Sequence, residues 1–161
     1  MAARCHYYSG LLRKGRKKQP LIPAGRNPAA TLGRLPGSLD LIQELKQAGI
    51  KIALGSASKN TPIILERLKL ENTFDAIADG NIVSKAKPDP EVFLIAARML
   101  NVNPEECIVI EDAIAGIRAA KTAGMRCIGI GSARRLTEAP YVVSGLNKLD
   151  LKLLLKIFNS K

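Results

Sequence analysis

Three clusters of residue types could between them handle a phosphoryl group: Ser56-Ala57-Ser58-Lys59-Asn60, Lys87, and Glu111-Asp112. Hydroxyls and free backbone N–H groups where a strand turns into a helix aim several donors at one point, and such a point attracts an anion, most often phosphate. A lysine at the same place adds a point charge. Adjacent carboxylates at a strand end can hold Mg²⁺, a hard cation that takes one or two carboxylates plus water and phosphate oxygens. Taken singly, each cluster has a commoner meaning. Ser56 and Ser58 can be a turn and a helix cap, Lys87 a solvated lysine, and Glu111-Asp112 a favourable charge before the helix that opens at Ala113. The chemical reading gains force only if one fold carries all three to the same edge.

The elements that would do so are legible in the apolar pattern. Ile50-Lys51-Ile52-Ala53-Leu54-Gly55 is a nearly unbroken apolar run, which suits a strand buried on both faces of a parallel sheet. Thr61-Pro62 opens a helix over 61–70, with the proline where its missing N–H costs nothing. Cys107-Ile108-Val109-Ile110 is a second such strand, ending at Glu111, and Cys127-Ile128-Gly129-Ile130 a third. Phe74-Asp75-Ala76-Ile77-Ala78 is a short strand and Tyr141-Val142-Val143 an edge strand. Further helices are predicted from a Ser38 cap to Gly49, from Asp89-Pro90 through Phe93, Ala96, Ala97 and Leu100, over 113–123, and over 151–158. Strands alternating with helices mean a parallel α/β sheet with right-handed crossovers. Ligands then sit outside the C-terminal ends of the strands, where all three clusters fall or lie close by.

At 161 residues the chain suits one domain, and no apolar run is long enough to span a membrane. Cys5, Cys107 and Cys127 show no pairing or metal-ligand spacing, so Cys107 and Cys127 read as core residues of a protein in the reducing cytoplasm. The net charge of +11 is concentrated at one end. Residues 1–34 hold eight Lys/Arg and no Asp or Glu, which leaves the rest with 17 basic against 14 acidic side chains. Nucleic-acid binding therefore finds little support in the charge. The stretch 1–34 shows neither helical nor strand periodicity and is expected to be a disordered basic leader. It could be an organellar presequence or bind nucleic acid through the basic cluster between positions 13 and 18. An out-of-frame or misassigned start is the reading favoured here.

The three motifs also carry a family resemblance. Ser56-Ala57-Ser58-Lys59-Asn60, Lys87-Pro88-Asp89-Pro90 and Ile110-Glu111-Asp112-Ala113-Ile114-Ala115-Gly116-Ile117 resemble the haloacid dehalogenase superfamily of phosphoryl-transfer enzymes, and within it the β-phosphoglucomutases. The resemblance covers about residues 35–161. It implies a Rossmann-like parallel sheet with helices on both faces. It also implies conversion of β-glucose 1-phosphate to glucose 6-phosphate, through an aspartyl-phosphate and a bisphosphate, with Mg²⁺. By the same resemblance Ser56 and Lys87 hold the transferring phosphoryl group. Ser56, Ala57, Ser58, Lys59, Asn60 and Lys87 bind substrate, and Glu111 and Asp112 the metal.

One departure matters. Members of the superfamily begin with an apolar strand ending in Asp-x-Asp, the nucleophile and general acid/base, followed by a helical cap domain. Here the first aspartate is Asp40, inside a predicted helix. The expectation is a sheet lacking its first, central strand, between 50–55 and 107–110, with only a half-site for Mg²⁺. Two functions follow. One is a mutase-like or sugar-phosphate phosphatase-like protein in truncated form, inactive for want of its nucleophile. The other is a non-catalytic phosphate-binding protein that uses the basic leader for a partner. Either would be a monomer that binds sugar phosphate.

Overall fold

The computed structural model describes residues 10–14 and 36–160. Six strands form one sheet: β1 (Gly10–Lys14), β2 (Ile50–Gly55), β3 (Ala76–Ala78), β4 (Ile108–Glu111), β5 (Arg126–Ile130) and β6 (Tyr141–Val143), in the order β3-β2-β1-β4-β5-β6. Among the described residues five α-helices accompany them: α1 (Ser38–Gln47), α2 (Thr61–Leu68), α3 (Glu91–Leu100), α4 (Ile114–Thr122) and α5 (Leu151–Asn159).

Period-two alternation along the central strands explains why helices lie on both faces. Cys107, Val109 and Cys127 point to one side, where they meet Val92, Phe93, Ala96 and Ala97 of α3 and Ile117, Ala119 and Ala120 of α4. Ile108, Ile110, Ile128 and Ile130 point to the other, against Leu41 and Leu45 of α1 and Leu154 and Ile157 of α5. Each large aliphatic side chain so buried contributes about 1.5–3 kcal/mol before entropy is counted. The alanines of α3 and α4 let those helices sit close to the sheet. Cys107 and Cys127 are core residues, as their context implied, and burial pushes the Cys127 thiol up to about 11.

Several boundaries shift from the sequence reading. Ser38 is the first residue of α1, not its cap; Gly37 takes that place with φ +83°, where a side chain would overlap the backbone of Asn147. α2 stops at Leu68 because Lys69 adopts a left-handed backbone, φ 55°. α3 begins one residue later than Asp89-Pro90 suggested, and the Asp89 carboxylate accepts the Glu91 N–H at 3.0 Å.

The larger difference lies in the middle of the sheet. β2 and β3 are parallel, as are β4, β5 and β6, but the gap expected between β2 and β4 is filled by β1. β1 runs antiparallel to both neighbours, paired over five positions with β2 and over two with β4. It comes from the stretch expected to be disordered, and carries no aspartate. The rest of that stretch lies outside the described residues. Among those described, no helix is long and apolar enough to cross a membrane.

Candidate functional site

β2 and β4 both end at the same edge of the sheet, since Gly10 of β1 pairs with Leu54 of one and Ile110 of the other. Ser56 follows β2 directly. It is buried, and its N–H donates to the Ala78 carbonyl of β3 at 2.8 Å. Its Oγ accepts the Ser58 N–H at 3.2 Å and lies 2.9 Å from the Thr61 hydroxyl, which also bonds the Ser58 carbonyl. The Ser58 hydroxyl in turn accepts the Asn60 N–H. The run therefore folds on itself as a compact turn, leaving Ala57, Lys59 and Asn60 exposed.

The loop after β3 clamps this turn from the side. The Gly80 N–H donates to the Ser58 carbonyl, and the Asn81 side-chain amide to the Lys59 carbonyl at 3.2 Å. Buried Asp79 holds Asn81 through both its oxygens. A Cβ on Gly80 would lie 2.5 Å from the Ala57 carbonyl, so only glycine permits this approach.

Lys87 and Glu111 form the second group. The Lys87 ammonium meets Glu111 Oε2 at 2.7 Å, with the lysine side chain 10% exposed and the glutamate not exposed at all. The ammonium also lies 4.8 Å from the centroid of the Phe93 ring. The other carboxylate oxygen of Glu111 accepts the Asp112 N–H at 3.2 Å. Room for the buried carboxylate comes from Gly116 in the first turn of α4, where a Cβ would fall 2.1 Å from Oε2.

The structure thus gathers the predicted residues into two clusters at one edge, Ser56 to Asn60 and Lys87 with Glu111. Thr61, Phe93 and Gly116 were read from sequence only as parts of helices or of the family-like motif, and Gly80 was not singled out, yet they shape both clusters. Gly116 was findable: a glycine inside a helix costs about 1 kcal/mol relative to alanine, so its presence signals a close approach. Phe93 and Thr61 gave no such signal, because an aromatic on a helix face and a threonine at a helix start have ordinary explanations.

The expected Mg²⁺ half-site fits less well. Among the described residues no three His, Cys, Asp or Glu come together as a metal-binding group. Of the two carboxylates expected to bind the ion, that of Glu111 is wholly buried and ion-paired to Lys87, while Asp112 is half-buried. With its carboxylate committed to Lys87, Glu111 is a poor ligand for an ion that takes one or two carboxylates plus water and phosphate oxygens.

A mostly parallel sheet flanked by helices, with hydroxyls, a lysine and carboxylates at its C-terminal edge, is the architecture of a haloacid dehalogenase-like hydrolase. The chain belongs to that family, whose model matches residues 28–124. It is 48% identical over 120 residues to the β-phosphoglucomutase of Bacillus subtilis, a match that covers 74% of this chain and 53% of that protein. The phosphorylated carbohydrates phosphatase of Thermotoga maritima is 39% identical over 95 residues, covering 58% and 44%. The crystal structure of β-phosphoglucomutase from Clostridium difficile superposes with a TM-score of 0.74 at 43% identity, over 78% of this chain and 56% of that one. The chain thus spans about half the length of these relatives.

Proposed function

We propose that this chain is a sugar-phosphate-binding domain of the β-phosphoglucomutase type, and that the 161-residue polypeptide does not turn over β-glucose 1-phosphate by itself. The observation that carries the binding reading is the Lys87 ammonium, ion-paired to Glu111 at the same sheet edge where Ser56 follows β2. Ser56 and Lys87 would hold the phosphoryl group, and Ala57, Lys59 and Asn60 would face the sugar. The reading without turnover rests on the absence of Asp-x-Asp anywhere in the sequence. Ser56 and Lys87 can stabilise charge on a phosphoryl group, but covalent transfer also needs a nucleophile to carry it. Mg²⁺ would bind poorly through Glu111 and Asp112. The protein would act in the cytoplasm as a monomer.

Titration with β-glucose 1-phosphate, followed by NMR in the wild type and in Lys87→Ala, tests the site. The wild type should show saturable shifts around Ser56, and the variant should lose most of them. Identical shifts in the two would refute a role for Lys87. A second reading, a sugar-phosphate phosphatase, is favoured by the match to the Thermotoga maritima enzyme. Product analysis separates the two: inorganic phosphate released above background supports the phosphatase, glucose 6-phosphate the mutase, and neither is expected.

A further inference from the structure

We infer that Phe93 is a positioning residue for the Lys87 ammonium, an inference that rests on the phosphate-binding reading of this edge. A lysine ends a flexible four-carbon stem, and an ion pair constrains the distance of its ammonium from the carboxylate more than its direction. The Phe93 ring supplies a second constraint, 4.8 Å from ammonium to centroid, well inside the range over which a cation is attracted to a ring face. The attraction is little screened, because the lysine side chain is 10% exposed and its carboxylate partner 0%.

The ring is itself held. Phe93 is buried in the first turn of α3, and a Cβ on Gly55 would lie 3.4 Å from its Cδ1 and Cε1. Gly55 ends β2 and immediately precedes Ser56. One ring therefore lies close both to the strand end that precedes Ser56 and to the lysine that brings the charge. It sets their relative placement, which neither Glu111 nor the 56–60 turn does alone.

An aliphatic side chain of similar size would fill the volume without the attraction, so packing and positioning can be told apart. Phe93 is replaced in the full chain by mono-, di- and trifluorophenylalanine, which withdraw charge from the ring face while nearly keeping its size. Inorganic phosphate is the probe, and its dissociation constant is read by NMR alongside the thermal midpoint. The constant should rise in step with fluorination, reaching roughly 3- to 30-fold for the trifluoro ring, with the midpoint little changed. Phe93→Leu should weaken phosphate to a similar degree. A constant that stays flat across the series, while Lys87→Ala still weakens phosphate, overturns the inference and leaves the site standing. No loss in Lys87→Ala overturns the site itself.

Discussion

At the scale of single residues, Gly116 decides whether the buried ion pair can exist. Replacing a helical glycine by alanine ordinarily gains up to about 1 kcal/mol. Here the new Cβ would fall 2.1 Å from the carboxylate of Glu111. A flexible side chain could usually yield, but this one is enclosed and bonded to Lys87 and to the Asp112 N–H. Gly116→Ala should therefore destabilise by about 1–3 kcal/mol, the usual range for overpacking, and weaken phosphate binding with it. Urea unfolding measures the first effect, and a midpoint at or above that of the wild type would show that Glu111 has room to move. Lys87 and Glu111 were legible from sequence because each stands next to a recognisable element boundary. Their ion pair was not, since it joins residues 24 positions apart whose meeting depends on how α3 packs. Nor does a sequence say that a glycine is empty for the sake of a carboxylate in the preceding strand.

At the scale of elements, Glu91 ties the start of α3 to the loop before it. Its carboxylate accepts the Ser84 hydroxyl and the N–H groups of Ser84 and Lys85. These bonds, the Ser84 hydroxyl first and the Lys85 N–H next, hold its carboxyl below the usual range. A lowered carboxylate pKa contributes stability above the ordinary value, near pH 4.5, and that contribution is lost as pH falls through the folded value. Wild type and Glu91→Gln should then differ in urea midpoint by a constant amount above about pH 5 and converge below it. The same gap at pH 3 and pH 7 would show that the charge is not what matters. β2 to β6 and all five helices were legible to within two or three residues, because apolar runs, Pro62 and the glycine stops all report local chemistry. What escaped was conformation set by neighbours, such as Gly37 against Asn147 or the left-handed turn at Lys69.

At the scale of the whole molecule, β1 joins two parallel half-sheets. Gly10-Leu11-Leu12-Arg13-Lys14 lacks alternation and sits among basic residues, so nothing local marks it as a strand. The cause is tertiary: β2 and β4 would otherwise face each other with unpaired edges, which is costly inside a sheet. Leu12 pairs with Ile52 in the middle of the ladder. Leu12→Pro removes an N–H and fits poorly in a central strand, so amides of Ile50–Gly55 that face β1 should exchange about tenfold faster or more, close to 1.4 kcal/mol. Unchanged exchange in those amides would rule out this pairing. The direction of β1 carries a consequence for protein engineering. The flanking strands deliver their last residues to the edge that carries Ser56 and Glu111, whereas β1 delivers its first, Gly10, and sends Lys14 to the far side. A nucleophilic aspartate grafted after Lys14 would therefore be some five residue rises, about 17 Å, from the end of β1 that lies at that edge. To approach the phosphate from this strand, it would have to be written into the chain at Gly10 or just before it.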